Sequence, residues 1–185
     1  MSETAVAHLD GPTIHPWFAI HVRSRHEKSV THILTEKGLD CFLPLCRSRR
    51  QWSDRVAQVD LPLFSGYVFC RLDLSNRMPV LTTPGIVRIV GVGRSPVPVD
   101  ETEMSAVQAI VQSGMSAQPW PMPRIGERVA IDRGPLAGLE GVLVGVKSHL
   151  RLVVSVTMLQ RAVAVEVDGG WVREVERPPQ MHRAA

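Results

Sequence analysis

The chain has 185 residues, a 44% hydrophobic share and a net charge of +3, which fit one globular domain or two small ones. No apolar run approaches the roughly 18 residues that a membrane-spanning helix needs. The acidic N-terminus lacks the basic start of a secretory signal, so we expect a cytoplasmic monomer with a disordered tail at residues 1–13.

The first predicted strand spans residues 16–22 (PWFAIHV). Regular alternation places every second side chain on the same face. It therefore divides the strand into two sets, Trp17, Ala19 and His21 on one face and Phe18, Ile20 and Val22 on the other. A helix over residues 25–37 follows, because Ser24 and Glu27 have the spacing of a capping box.

The next segment predicts a strand over residues 41–47, interrupted by Pro44 and therefore near a sheet edge. An irregular hairpin follows over residues 47–59, with its turn near Ser53-Asp54. Within CRSRRQWSDR, four arginines and Trp52 accompany a single aspartate. Such a cluster is typical of a nucleic-acid contact, but it is equally typical of a solvated hairpin tip.

The strand predicted over residues 63–72 contains an unusual break at Ser65-Gly66, between Phe64 and Tyr67. Glycine weakens a strand and often marks a bulge. Regular alternation would place Phe64 and Tyr67 on opposite faces, whereas one extra residue brings both rings to the same side. We therefore predict a bulge that presents two aromatic rings and keeps Val68 and Cys70 in the core.

The remainder of the N-terminal half predicts a short helix near Pro79, a strand over residues 86–92 and a helix that begins after Asp100 and ends near residue 112. This order predicts an α/β sandwich with a mostly antiparallel sheet over residues 14–112. Residues 113–123 are rich in Pro, Ser and Gly without either periodicity, and they predict a flexible linker.

After the linker, short β-rich runs alternate with turn residues such as Asp132-Arg133-Gly134-Pro135. This pattern predicts a small β-barrel over residues 124–175, followed by a C-terminal tail at residues 176–185. Gly134 and Gly138 suit turns that need a positive φ, and Gly141 suits a close approach of strands.

Catalytic and metal-binding patterns are missing from the sequence. None of the common nucleotide-binding, zinc-protease or serine-hydrolase motifs occurs. The three cysteines and seven histidines lack metal-ligand spacing, and an odd cysteine count without an export signal indicates free thiols. We therefore expect a binding protein rather than an enzyme, with no metal and no cofactor.

The second half contains RIGERVAIDRGPLAGLEGVLVGV, which resembles the KOW motif. Before it come WFAIHV, RHEKSV, LFSGYVF and TTPGIVRIVG, and this ordered set resembles the NusG family over roughly residues 14–175. The resemblance implies an α+β protein in which an N-terminal NGN domain is linked to a C-terminal, SH3-like KOW barrel.

In function, the resemblance implies a bacterial transcription elongation and antitermination factor. The NGN domain would bind the coiled-coil clamp helices of the largest RNA polymerase subunit and suppress pausing and termination. The KOW domain would recruit partners. Physically, aromatic side chains beside a low glycine backbone suit a site that receives a helix. The implied polymerase-binding residues are Trp17, Phe18, Phe64, Gly66, Tyr67, Thr83, Pro84 and Gly85.

The same resemblance places the arginine-rich hairpin beside the single-stranded non-template DNA. Arginines would grip phosphates there while Trp52 stacks on a base. The implied nucleic-acid residues are Arg47, Arg49, Arg50, Trp52 and Arg55.

The sequence departs from the family pattern at two places. Ser65 replaces the proline of Phe-Pro-Gly-Tyr, and Met158-Leu159-Gln160-Arg161 replaces Ile-Phe-Gly-Arg at the partner surface, where Leu159 and Arg161 remain the candidates. The lost aromatic argues against binding of termination factor Rho and weakens the case for a small-subunit ribosomal protein. Both changes indicate a specialised paralogue.

Two alternatives remain at this stage. The four aromatic residues can be core residues instead of a docking surface. The chain can also be a KOW-type RNA-binding or ribosome-associated protein, although such a protein would not need the N-terminal module with its aromatic surface.

Overall fold

A computed structural model describes residues 15–51, 56–122, 126–146 and 149–175. The helices are α1 (Glu27–Glu36), α2 (Met78–Leu81) and α3 (Glu101–Gln112). The strands are β1 (Trp17–Val22), β2 (Cys41–Phe42), β3 (Leu45–Gln51), β4 (Val56–Pro62), β5 (Tyr67–Arg71), β6 (Ile86–Ile89), β7 (Gly91–Val92), β8 (Ser95–Pro96), β9 (Ala117–Pro121), β10 (Glu127–Ile131), β11 (Glu140–Val146), β12 (His149–Val156), β13 (Arg161–Val167) and β14 (Val172–Glu174). Among the described helices, none has the length and apolar character to cross a membrane.

Four antiparallel strands in the order β2-β5-β1-β6 form what we call the N-terminal sheet. Strands β3 and β4 form a separate hairpin, and β2 is an edge strand separated from β3 by Leu43 and Pro44. The predicted mixture of helices and antiparallel strands is confirmed for this half. The strand predicted over residues 41–47 is divided at Pro44 into β2 and β3, which belong to different sheets.

The N-terminal sheet is apolar on both faces. Phe18, Ile20 and Val22 pack with residues of α1, whereas Trp17 and Ala19 belong to the cluster that contains Met104 and Ile110 of α3. The alternation predicted for β1 is therefore confirmed. Each face needs a cover, because an exposed apolar sheet face is unfavourable in water.

The first turn of α1 differs from the prediction. The helix begins at Glu27 after His26, and no side chain caps its N-terminus, so the expected capping box of Ser24 and Glu27 is wrong. Glu27 is instead 6% exposed, and its carboxylate accepts a 2.8 Å hydrogen bond from the backbone N–H of Gly66. This hydrogen bond connects the start of α1 to the segment between Phe64 and Tyr67. It also gives the buried carboxylate the polar partner that burial requires.

The predicted bulge at Ser65-Gly66 is also wrong, because the chain makes a turn there. Strand β4 ends at Pro62, β5 begins at Tyr67, and the N–H of Tyr67 donates to the carbonyl of Phe64 at 3.0 Å. Gly66 has a φ of +83° whereas Ser65 has no positive φ, which is the pattern of a type II turn. The turn still places Phe64 and Tyr67 on the same side as Phe69, and Val68 and Cys70 are buried as predicted.

The C-terminal half forms one antiparallel sheet in the order β14-β10-β11-β12-β13-β9, which we call the C-terminal sheet. The antiparallel strands confirm the β-rich content predicted for this half. A Cβ on Gly141 would lie 2.7 Å from the carbonyl oxygen of Val153, as expected where strands approach closely. The segment predicted as a linker is not free of regular structure, because residues 117–121 form β9 and pair with β13. Proline-rich sequence hid this edge strand.

We predict that Glu27→Ala lowers the free energy of unfolding by about 2 kcal/mol, because the N–H of Gly66 loses a charged acceptor. Glu27→Gln keeps an oxygen acceptor and should lose less. Urea denaturation followed by circular dichroism measures both. Glu36→Ala, at an exposed position of the same helix, is the matched control and should change stability by under about 0.5 kcal/mol. Equal losses for Glu27→Ala and Glu36→Ala would contradict the assignment.

Candidate functional site

Five aromatic side chains gather on one face of the N-terminal sheet, and we call Trp17, Phe42, Phe64, Tyr67 and Phe69 the aromatic cluster. Phe64 meets Phe69 edge-on with ring centroids 5.5 Å apart, and Phe42 lies 6.5 Å from both Trp17 and Phe69. Such contacts stabilise aromatic pairs beyond their buried area. Strand alternation places Trp17, Tyr67 and Phe69 on this face, and the turn at Ser65-Gly66 adds Phe64 to them.

Charged and polar side chains fix the two ends of the aromatic cluster. The guanidinium of Arg71 lies 4.7 Å from the Trp17 ring centroid and donates to both carboxylate oxygens of Glu101, at 2.8 and 3.1 Å. At the other end, His21 stacks on Tyr67 with centroids 5.3 Å apart. The aromatic rings are therefore held in place by β1, β5 and the first turn of α3.

The start of α3 is itself well defined. The Asp100 carboxylate accepts hydrogen bonds from the N–H groups of Thr102 and Glu103, at 2.8 and 3.2 Å. These bonds lower the pKa of Asp100 below its ordinary value. Asp100 therefore caps the helix as predicted, and this leaves the carboxylate of Glu103 available for another partner.

The C-terminal sheet covers the aromatic cluster. The guanidinium of Arg161 lies 5.3 Å from the Tyr67 ring centroid, and Leu63 shares a cavity of about 350 Å³ with Trp120, Gln160 and other residues of the C-terminal sheet. Apolar residues of both sheets form one continuous cluster. Within this cluster, which also includes residues of α3, Trp17 and Phe64 are only 3% and 1% exposed.

At its edge, the contact between the N-terminal half and the C-terminal sheet consists of polar groups and an open cleft. The Glu103 carboxylate accepts hydrogen bonds from the Thr157 hydroxyl at 2.6 Å and from the Thr157 N–H at 3.1 Å. Beside this pair, an open cleft of about 790 Å³ separates the first turns of α3 from β11 and β12. A contact with an open cleft and a polar rim resembles the interfaces at which domains move.

The predicted polymerase-binding residues occupy three different environments. Trp17, Phe64 and Tyr67 lie in the aromatic cluster. Phe18 is on the opposite face, 2% exposed and packed in the cluster of α1, so the structure does not bring it to the same surface. Thr83 is also buried.

The turn that contains Thr83, Pro84 and Gly85 packs against α1, since Gly85 lies beside Val30. The Thr83 hydroxyl donates to the Pro79 carbonyl and accepts from Lys37, both at 2.8 Å, and Pro84 is exposed. Gly85 has a φ of +93°.

Both glycine turns meet at the end of β1. The N–H of Val22 donates to the Gly66 carbonyl at 2.9 Å, and the next N–H, of Arg23, donates to the Gly85 carbonyl at 2.8 Å. The two turns therefore flank the connection between β1 and α1.

The arginine-rich segment is the β3–β4 hairpin. Arg47 is exposed and pairs in register with Asp60, while Arg49 and Arg50 pair in register with Gln58 and Ala57. Trp52 and Arg55 lie outside the described residues. Arg47, Arg49 and Arg50 therefore all lie on β3, which begins at Leu45 and pairs with β4 along its whole length.

The predicted partner surface of the C-terminal half faces the aromatic cluster. Leu159 is 8% exposed and belongs to the apolar cluster that both sheets share, and Arg161 lies over Tyr67. The two surfaces that the sequence assigned to different partners therefore cover each other in this structure.

Several residues of the site escaped the sequence interpretation. Glu27 was assigned to helix capping, because nothing local in the sequence indicates its partner Gly66, from which three strands separate it. Arg71 and Phe42 were missed because their contacts join segments far apart in sequence. The position of His21 could have been found, since alternation already placed it on the face of Trp17. Within the described ranges, no group of three or more His, Cys, Asp or Glu residues could hold a metal ion.

Comparisons with known proteins agree with this architecture. A family model described as transcription termination factor nusG matches residues 15–108. The chain is 24% identical to the transcription termination/antitermination protein NusG of Neisseria meningitidis serogroup B, over 86% of this chain and 97% of that protein. It is 29% identical to the protein of the same name from Campylobacter jejuni, over 83% of this chain and 93% of the relative.

A solved structure of Thermotoga maritima NusG, described for its domain interaction, matches the fold with a TM-score of 0.53 and 20% identity. It covers 87% of this chain and 97% of that chain. The family match spans half of the sequence, and the curated relatives are covered almost completely. The chain therefore belongs to the NusG family.

Proposed function

We propose that this protein is a non-enzymatic transcription elongation and antitermination factor that acts in the cytoplasm on RNA polymerase. The observation that carries the proposal is the aromatic cluster, which lies on the N-terminal sheet and is covered in part by the C-terminal sheet through a contact with an open cleft at its edge. In a NusG family member, this surface suits the clamp helices of the largest polymerase subunit, because aromatic pockets receive the apolar face of a helix. Bridging the polymerase cleft there would suppress pausing and termination.

Three of the candidate residues carry the proposed docking. Trp17, Phe64 and Tyr67 lie on one surface, and the Gly66 turn keeps the backbone low between the two rings. Pro84 and Gly85 belong to the neighbouring turn and would border the docked helix. Phe18 and Thr83 support the surface from behind, since both are buried away from it.

Docking requires the C-terminal sheet to move away. The apolar cluster that both sheets share holds it in place, and Arg161 over Tyr67 and the Glu103–Thr157 hydrogen bonds add to this contact. Exposed polar contacts of this kind contribute little each, up to about 1 kcal/mol. The closed arrangement lowers the apparent affinity for polymerase, because only the open fraction of the protein can bind.

The opened C-terminal sheet would present Leu159 and Arg161 to a second partner. A small-subunit ribosomal protein is the proposed partner, with Leu159 as its apolar contact, whereas the missing aromatic residue of the family pattern argues against Rho. Together with Ser65, this supports a specialised factor within the family. The turn at Ser65 is nonetheless braced by Glu27 and Val22, so the missing proline is compensated.

The β3–β4 hairpin is the proposed contact for single-stranded non-template DNA. Its backbone register brings three arginines onto one hairpin, and Trp52 and Arg55 follow in sequence. Arginine side chains bind phosphates, and an aromatic ring stacks on an unpaired base.

We predict that Glu103→Ala combined with Arg161→Ala raises the affinity for RNA polymerase core enzyme about tenfold, because about 1.4 kcal/mol of closing contact is removed. Adding Tyr67→Ala to this open variant should cancel the gain. Fluorescence anisotropy with labelled protein measures both. Tyr67 is preferred to Phe64, because Phe64 is 1% exposed and its loss threatens folding.

The matched control for the docking experiment is Val92→Ala, which removes an apolar side chain that is 71% exposed outside the aromatic cluster. It should leave polymerase affinity unchanged in the open background. The proposal is wrong if Tyr67→Ala binds polymerase as tightly as its parent while retaining the parental circular dichroism spectrum and melting temperature.

We predict that Arg49→Ala and Trp52→Ala each weaken binding to a single-stranded oligonucleotide. For Arg49→Ala, the slope of log affinity against log salt should also fall by about 0.7, the value for one lost phosphate contact on a single strand. Titrations at several salt concentrations measure this. Arg94→Ala removes an exposed arginine elsewhere and should leave the slope unchanged. Unchanged slopes for all variants would contradict the DNA contact.

A further inference from the structure

Two thiols lie side by side on adjacent strands of the N-terminal sheet. Cys41 of β2 and Cys70 of β5 are directly opposite in register, and their Sγ atoms lie 3.3 Å apart. Cys41 is half-buried, whereas Cys70 is fully buried. The third cysteine, Cys46, lies in the β3–β4 hairpin opposite Leu61. The polymerase and DNA surfaces proposed above make no use of the Cys41–Cys70 pair.

The backbone register suits a bond between these two sulfur atoms. The N–H of Arg71 donates to the Asp40 carbonyl at 2.8 Å, so these neighbours form a hydrogen-bonded pair. Hydrogen-bonded and non-hydrogen-bonded pairs alternate along an antiparallel ladder. Cys41 and Cys70 are therefore a non-hydrogen-bonded pair, and the Cα atoms of such a pair lie about 4.5 Å apart. That separation is at the short end of the disulfide range of about 4.4–6.8 Å. A disulfide there would form without backbone movement, because this separation lies within that range.

The two cysteines differ in a way that assigns them different roles. The hydrogen bond between the two sulfur atoms holds the pKa of Cys41 below its ordinary value, although burial and Asp40 oppose this effect. The same hydrogen bond, together with burial, raises the pKa of Cys70. The more accessible thiol is therefore also the better nucleophile, because the thiolate is the reactive form.

We propose that Cys41 and Cys70 form a reversible, peroxide-sensitive dithiol that closes to a disulfide between β2 and β5. The Cys41 thiolate attacks a hydroperoxide ROOH, whose O–O bond breaks, and gives a sulfenic acid and, after protonation, the alcohol or water. The Cys70 sulfur then attacks the sulfenic sulfur, and water leaves with the Cys70 proton. The hydroperoxide is reduced by two electrons, and the two thiols are oxidised to one disulfide.

Closure of this bond has a structural consequence for the hairpin. Strand β2 has only two residues and lies at a sheet edge, and Leu43 and Pro44 alone connect it to β3. The disulfide fixes β2 to the central part of the sheet and so fixes the base of the arginine-rich hairpin. Oxidation thereby stiffens this segment and leaves the aromatic cluster on the other face in place, since Cys70 belongs to the face of α1.

The test treats the full chain, folded and reduced, with a small excess of hydrogen peroxide, blocks remaining thiols after unfolding, and maps the peptides by mass spectrometry. We expect one blocked thiol, at Cys46, and linked peptides that contain Cys41 and Cys70. Dithiothreitol should restore three thiols. The oxidised protein should melt roughly 5 °C higher than the reduced protein, because the bond closes a loop of the unfolded chain.

Two controls distinguish the folded geometry from simple thiol reactivity. Cys46→Ser should leave the Cys41–Cys70 link intact, whereas Cys41→Ser should leave Cys70 reduced. In protein unfolded with urea before oxidation, the close sequence neighbours Cys41 and Cys46 should pair instead, since short loops close most readily. Three free thiols after peroxide treatment, a folded-state link through Cys46, or a lower melting temperature after oxidation would overturn the proposal.

Discussion

The N-terminal sheet has two apolar faces, and each face must be covered. Helix α1 covers the face of Phe18 and Ile20, and a segment of only four residues, 23–26, connects this helix to β1. On the other face, α3 packs with the same apolar cluster as the aromatic rings, and the C-terminal sheet completes the cover. Most of the remaining structure follows from this requirement, including the rim contact between Glu103 and Thr157.

The turn between β4 and β5 places Phe64 and Tyr67 on the face that the C-terminal sheet covers. A positive φ at Gly66 allows the chain to reverse, and the Glu27 carboxylate and the N–H of Val22 hold the Gly66 peptide from either side. The rings of Phe64 and Tyr67 therefore have a fixed orientation whether the C-terminal sheet or a partner covers them. A preorganised surface of this kind loses little conformational freedom on binding.

Local patterns predicted much of the fold, because they depend on neighbours in sequence. Alternation identified both faces of β1, the Asp100 cap located the start of α3, and the β-branched runs identified the C-terminal strands. Nonlocal contacts were not accessible in this way. At Ser65-Gly66 the sequence predicted a bulge, whereas the structure has a turn. A bulge and a turn both bring the two rings to one side, and only the pairing of β4 distinguishes them. Strand β9 was missed because its pairing with β13 supplies what its proline-rich sequence lacks.

The central claim is that the C-terminal sheet and RNA polymerase cover the same aromatic surface in alternation. Hydrogen–deuterium exchange of the full chain, with and without saturating polymerase core enzyme, tests it most directly. Polymerase should slow exchange in residues 63–71 and at the same time speed exchange in residues 157–162, because the latter lose their contacts with Glu103 and Tyr67. Unchanged or slower exchange in residues 157–162 of the saturated complex would contradict the claim.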